Sequence, residues 1–418
     1  MIRESGHGFG HTHDVHDPAG GLAGCRSQFP ALGTSVGGRP AVFLDGPGGT
    51  QVPVNVVEAI NEYLLQRNAN SHGLFATSRA SDEGVEHARS RFAAFFRAES
   101  ASEIAFGANM TTLNFHLARN IARDLAPGDE VVITELDHEA NRAPWLALRE
   151  QGIVVREVRV DPATCQLDLL DFGGKIGPRT RVVAVGAASN AVGTVNDLGA
   201  IRQLAQGAGA LLVVDAVHFV PHLPVDVRAI GCDFLLCSAY KFFGPHIGVL
   251  YGRRAAFERL RCHKVLPQDD AIPFRMETGT PNFEGIAGAA AALDFIGGLG
   301  GPSAIAAYED ALVARLRAGL ATLPGVQLWQ APAEAPKTPT VAFTMNTLDA
   351  PAIARRLGDE GIFAWDGDFY ATTLVKRLGL AARGGLVRLG LAPYNTMDEI
   401  NRTIAAVVKI ASEGAGAQ

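Results

Sequence analysis

Short apolar runs alternate between residues 40 and 300 with stretches long enough for a helix and with apolar positions at helical spacing. The runs at 103–106, 130–134, 154–160, 180–186, 211–215, 234–238 and 248–251 are β-branched or broadly apolar. They lack an alternating polar face, which predicts strands covered by helices on both sides. Helices are predicted between them at 111–125, 143–151 and 198–207. The alternation reads as an α/β unit with a mainly parallel sheet.

After residue 300 the pattern changes. A predicted helix at 305–323 runs into the turn Pro324-Gly325, and a strand-like stretch follows at 340–344. A helix at 351–360 and an apolar strand at 387–391 come next. The last helix begins near Met397, with Thr396 as N-cap and Glu399 three residues on, the arrangement of a capping box. This is the pattern of a smaller α+β unit, and no internal repeat is evident.

Composition narrows the function classes. The chain has 418 residues, 47% of them hydrophobic, and a net charge of −6 without a basic block. A nucleic-acid partner is not expected from such a balance. Runs such as Ala210–Val214 and Ala287–Leu293 are far short of the roughly 20 apolar residues that span a bilayer, so no membrane association is expected. The first 20 residues are polar and rich in His and Gly rather than carrying the apolar core of a signal peptide, so a cytoplasmic protein is expected. Cys25, Cys165, Cys232, Cys237 and Cys262 have no CxxC or Cys/His ligand spacing and read as reduced thiols, with no metal site. His7, His11, His13 and His16 fall in a Gly/His/Asp tract that reads as a disordered tail.

The chemistry concentrates where two apolar runs end in polar residues. One is Leu211-Leu-Val-Val-Asp215-Ala-Val-His218; the other is Asp233-Phe-Leu-Leu-Cys-Ser238-Ala-Tyr240-Lys241-Phe-Phe-Gly244-Pro. Ligands of open α/β sheets bind at such carboxyl ends. A carboxylate ending one strand and a lysine following the next are the pair that pyridoxal 5′-phosphate requires. The lysine amine condenses with its aldehyde, and the carboxylate keeps its pyridine nitrogen protonated so that the ring can accept electrons. Phe106-Gly107-Ala-Asn109-Met110-Thr111-Thr112 follows a strand and opens a helix, so its free N–H groups suit a phosphate.

Asp215 with His218, Ser238-Ala-Tyr240-Lys241, Gly279-Thr280-Pro-Asn282, and Arg388 with Tyr394-Asn395 resemble the class V aminotransferase superfamily, from about Phe43 to Lys409. Leu44-Asp-Gly-Pro-Gly-Gly-Thr-Gln51, Gly107-Ala-Asn-Met-Thr111 and Ser238–Pro245 are most similar to its cysteine desulfurase-like branch, related to selenocysteine lyases and isopenicillin N epimerases. The resemblance implies the type I fold of pyridoxal phosphate-dependent transferases, an α/β architecture. A tail at 1–27 and a segment at 28–40 joining the smaller domain would precede a large domain at 41–299 with a mainly parallel seven-stranded sheet. A small α+β domain at 300–418 would follow. Lys241 would carry the cofactor and move protons, Asp215 would pair with the pyridine nitrogen, and His138 would lie over the ring. His218, where relatives usually carry Gln, would contact the phenolic oxygen. Asn109, Met110, Thr111, Ser238 and Tyr240 would hold the phosphate, and Thr280 would reach the phosphate of the neighbouring subunit in a homodimer. Asn190 would sit near the cofactor and substrate, and Arg388 would clamp the carboxylate of an amino-acid substrate.

The chain departs from the desulfurases in Ala364-Trp365-Asp366-Gly-Asp368-Phe369-Tyr370-Ala371. Tyr370 stands where the sulfur-accepting cysteine is expected, and no cysteine follows Cys262. A phenol cannot form a persulfide. Trp365 stands where many relatives place a second substrate-binding arginine, and predicts a bulky apolar wall. Elimination of a β-substituent, as by a C–S lyase, is the expected reaction, with epimerisation and transamination as alternatives. Tyr370 is then a candidate general acid or base, or simply packs over the substrate. From another class, a non-catalytic cofactor-binding sensor or scaffold would also explain the missing cysteine.

Overall fold

The apolar runs between residues 104 and 252 assemble into one seven-stranded sheet in the computed structural model, which describes residues 21–415. Its strands are β1 (Ile104–Gly107), β2 (Glu130–Thr134), β3 (Val154–Val158), β4 (Thr180–Gly186), β5 (Leu211–Asp215), β6 (Phe234–Ser238) and β7 (Gly248–Gly252). Their spatial order is β1-β7-β6-β5-β4-β2-β3. Strands β3, β2, β4, β5 and β6 run parallel, and β7 is antiparallel to both of its neighbours. The link from Ser238 to Gly248 is too short for a crossover helix, so β7 must return antiparallel.

Helices cover both faces. On one side pack α1 (Val54–Glu62), α2 (Ala76–Phe96), α4 (Leu198–Gly207) and α5 (Phe283–Gly298); α3 (Met110–Ala122) lies on the other. Strand residues alternate between the two layers: Val183 and Val185 join the first core, Val182 and Ala184 the second. This is why the inner strands carry no polar face, whereas the edge strand β3 bears the part-exposed Arg156 and Glu157.

The second sheet is antiparallel and four-stranded: β8 (Val326–Trp329), β9 (Thr340–Met345), β10 (Trp365–Gly367) and β11 (Leu386–Gly390), in the order β8-β9-β11-β10. Helices α6 (Pro302–Ala321), α7 (Ala350–Asp359) and α8 (Met397–Ala415) pack around it, with Leu316, Ile353, Phe343, Leu389 and Val407 in its core. The α8 N-terminus is closed in both directions: Glu399 N donates to Thr396 Oγ1 at 3.3 Å, and Thr396 N donates to the Glu399 carboxylate at 3.1 Å.

Three sequence expectations change. The run at 154–160 is not one strand, because the Arg159 N–H turns to the Asp171 carboxylate (2.9 Å) and Val160–Asp161 pairs instead with Gln166–Leu167. The helix expected at 143–151 is a single α turn, Ala143–Leu146, continued as a 3₁₀ segment. The expected tail is in part packed: Cys25 is buried, and Arg26 pairs with Glu399 at 2.9 Å and donates to the Tyr394 carbonyl. The histidine tract at 7–16 lies outside the described residues. Among the described residues no single helix is long and apolar enough to cross a membrane, and no group of three or more His, Cys, Asp or Glu forms a metal cluster.

Candidate active site

A cavity of about 850 Å³ opens at the carboxyl ends of β5 and β6. Asp215 ends β5; Ser238 ends β6, and Lys241 closes the single 3₁₀ turn that follows. The Asp215 carboxylate accepts a hydrogen bond from Val217 N at 2.9 Å. Burial pushes this carboxyl up to about 7, and nearby Asp137 adds to the rise while Lys241 opposes it. Burial and the Arg388 cation bring the Lys241 amine down to about 7 against the pull of Asp215. Its Nζ donates to the Pro47 carbonyl and lies over the Tyr240 ring, 4.7 Å from the centroid.

The N-terminus of α3 faces the same space. Asn109 caps it, accepting from Thr112 N at 2.9 Å, and Met110 N donates to Ser238 Oγ at 2.9 Å, which ties the helix start to the end of β6. Gly248 permits this approach, since a Cβ there would meet the Asn109 carbonyl carbon at 2.5 Å. Thr111 lines the cavity, as does Tyr240, whose ring stacks on His246 with centroids 4.9 Å apart.

His138 accepts a hydrogen bond from Ala140 N at its Nδ1 (2.9 Å), which leaves Nε2 to carry the proton of the neutral ring. Burial, with the cations Lys241 and Arg388, holds this imidazole down at about 4. Behind it the buried Asp137 accepts from Gly186 N (2.9 Å) and Asn141 Nδ2 (3.1 Å). His218 is buried with Nε2 between the hydroxyls of Thr338 (3.1 Å) and Thr340 (2.9 Å), and burial keeps it well below the usual imidazole range.

The opposite wall comes from the small sheet. Arg388 on β11 is buried, and its Nη1 donates to the Asn190 carbonyl at 2.7 Å while Nε has no partner. Burial lowers the guanidinium to about 9, and Asp45 opposes the shift. Trp365 stands opposite Arg388 in the β10–β11 register and leans over Gly48, where an added Cβ would fall 2.3 Å from the indole Nε1. Asn190 Nδ2 donates to the Phe369 carbonyl at 2.8 Å, and Tyr370 is 69% exposed at the mouth.

The cavity brings together Asn109, Met110, Thr111, His138, Asn190, Asp215, His218, Ser238, Tyr240, Lys241, Trp365, Tyr370 and Arg388. Thr280 is elsewhere, lining a second cavity of about 330 Å³ with His116 and Thr278. The sequence reading missed Asp137, Phe369 and His246, which also line the main cavity. Asp137 and Phe369 lie in stretches already singled out, and His246 directly follows Pro245, the end of another. None of the cysteines lines the cavity. Chemically, the space offers a helix N-terminus for an anion, a buried carboxyl, a lysine amine of lowered basicity, and a guanidinium with unspent donors.

The profile of the Aminotransferase class-V family matches residues 42–403. A cysteine desulfurase from Pectobacterium atrosepticum is 33% identical over 403 residues, covering 92% of this chain and 97% of that protein. A probable cysteine desulfurase from Mycolicibacterium paratuberculosis is 34% identical over 426 residues, and this chain spans only 60% of its length. Among solved structures, the apo cysteine desulfurase from Thermococcus onnurineus NA1 superposes with a TM-score of 0.85 at 28% identity, over 93% of this chain and 98% of that one. The cysteine desulfurase CsdA from Escherichia coli, in an S-sulfonic acid form, superposes with a TM-score of 0.83 at 28% identity, over 96% of this chain and 99% of that one.

Proposed function

Because the chain belongs to the class V aminotransferase family, whose members are pyridoxal phosphate-dependent enzymes, we propose that this cysteine desulfurase-like enzyme eliminates a β-substituent from an amino acid without a persulfide cysteine. The observation that carries the reading is the composition of the cavity: the loop at its mouth offers the Tyr370 hydroxyl, and no thiol lines the walls.

The residues present fit the cofactor. Asn190 Oδ1 and Arg388 Nε are buried at the cavity without partners, the donor set expected where ligands complete the bonding. Lys241 would hold the cofactor covalently, Asp215 would pair with its pyridine nitrogen, and His138 would cover its ring. Asn109, Met110, Thr111, Ser238 and Tyr240 would hold its phosphate, and His218 would face its phenolic oxygen. When bound, the group supplies an electron sink for a bond broken at the α-carbon.

The remaining chemistry falls to the protein. Once the substrate amine replaces it on the cofactor, the Lys241 amine, whose basicity burial lowers, would take the α-proton and return it. Arg388 would hold the substrate carboxylate through the N–H groups that Asn190 leaves free. Tyr370 would give its hydroxyl proton to the departing group, and Trp365 would favour side chains larger than that of cysteine. Thr280 would complete the site of a partner subunit in a homodimer.

The test is product analysis with L-cysteine and bulkier β-substituted amino acids. Keto acid with ammonia and free sulfide or thiol, and no alkylatable persulfide on the protein, is the expected outcome. Exchange of the α-hydrogen without keto acid would mean epimerisation; keto acid with pyridoxamine phosphate would mean transamination. A visible spectrum unresponsive to every amine would return the chain to the sensor or scaffold class.

A further inference from the structure

The loop that carries Tyr370 also closes one face of Arg388. The guanidinium carbon lies 4.1 Å from the Phe369 ring centroid. Phe369 and Tyr370 both have left-handed backbones, with φ of 55° and 57°. Two successive aromatic residues seldom adopt this region, so the surroundings must hold them there. The Asp368 carboxylate accepts from Tyr370 N (3.0 Å) and Thr372 Oγ1 (2.7 Å), and Glu139 N donates to the Tyr370 carbonyl at 2.7 Å. Asn190 closes the arrangement: its side-chain amide fixes the Phe369 carbonyl, and its own carbonyl accepts from Arg388.

We infer that Phe369 is a positioning residue for the substrate carboxylate, holding the plane of Arg388 so that its free N–H edge faces the cavity. The inference rests on the reading of Arg388 as the carboxylate clamp. A guanidinium on a flexible stem would otherwise turn about its terminal torsions, and the unpartnered Nε shows that hydrogen bonds alone do not define its plane. The aromatic face does so from below and Asn190 from one edge. The same turn fixes Tyr370, so the clamp and the mouth residue share one support.

A residue that only fills space can be replaced by another apolar side chain, whereas a face for a guanidinium needs an aromatic ring. The test is titration of the cofactor-loaded protein with L-phenylalanine and with phenethylamine, which lacks the carboxylate, followed by visible absorbance. Phe369→Leu should weaken phenylalanine binding roughly three- to tenfold and leave phenethylamine within about twofold, and Phe369→Tyr should restore the wild-type value. Equal loss for both ligands, no loss for either, or failure of the tyrosine variant would overturn the inference. Arg388→Gln is the control for the underlying reading. If it does not selectively weaken phenylalanine, the clamp itself is wrong; if it does while Phe369→Leu does not, only the positioning role fails.

Discussion

The imidazole of His138 and the phenol of Tyr370 meet at the mouth of the cavity, with centroids 5.4 Å apart and planes inclined by 33°. His138 is held neutral by burial and the neighbouring cations, so the Tyr370 hydroxyl is the exposed proton donor on that side. Tyr370→Phe keeps the ring contact and removes only the proton. Turnover in the elimination should fall about 10²-fold or more with KM little changed, as for loss of a general acid. Steady-state kinetics on the best substrate decide the matter, and an unchanged kcat would reduce Tyr370 to packing.

Tyr370→Cys places a thiol on the loop, in the turn held by Asp368 and Glu139. Treated with L-cysteine and then alkylated, this variant should carry a persulfide at position 370 by intact-mass measurement, and the wild type none. A persulfide on the wild-type protein would mean that one of its own thiols reaches the substrate, against the placement of all of them outside the cavity.

The large sheet was legible because its strands are buried on both faces. Runs such as Leu211–Asp215 and Phe234–Ser238 carry no polar interruption until the residue that enters the site. That same rule exposed Asp215, Ser238 and Lys241: a polar residue at the end of such a run has little reason to be there except the cavity. The small sheet was read only in part. Val326–Trp329 and Trp365–Gly367 are short, half-exposed strands whose pairing depends on distant partners. Side-chain contacts across the chain were not legible either. The stack of Tyr240 on His246 and of Arg388 on Phe369 joins residues whose types alone suggest ordinary core or surface, and only the fold makes them neighbours.

Ser238 Oγ accepts from Met110 N where β6 meets the N-terminus of α3. Ser238→Ala leaves that buried N–H without its partner and removes a hydroxyl from the phosphate end of the cavity, a loss of about 1–3 kcal/mol. Cofactor affinity should drop roughly tenfold, measured by equilibrium dialysis, while turnover of the fully loaded protein changes far less. An equal fall in turnover at saturating cofactor would place Ser238 in the chemistry instead.

Lys241 predicts a pH-dependent stability of the cofactor-free protein. Its amine is lowered to about 7 in the folded chain from the usual 10.5, chiefly by burial. Between those values the unfolded chain binds the extra proton, so this residue's contribution to stability rises with pH; below about 7 its full penalty is present. Replacing it by methionine removes the buried charge and keeps much of the volume. Cofactor-free Lys241→Met should therefore resist urea better than the wild type at neutral pH, by roughly 2–4 kcal/mol. The advantage should shrink steadily as the pH is raised towards the ordinary lysine range. An advantage that stays constant with pH would trace to packing rather than charge, and the amine would then lack the depressed basicity that fits it for proton transfer.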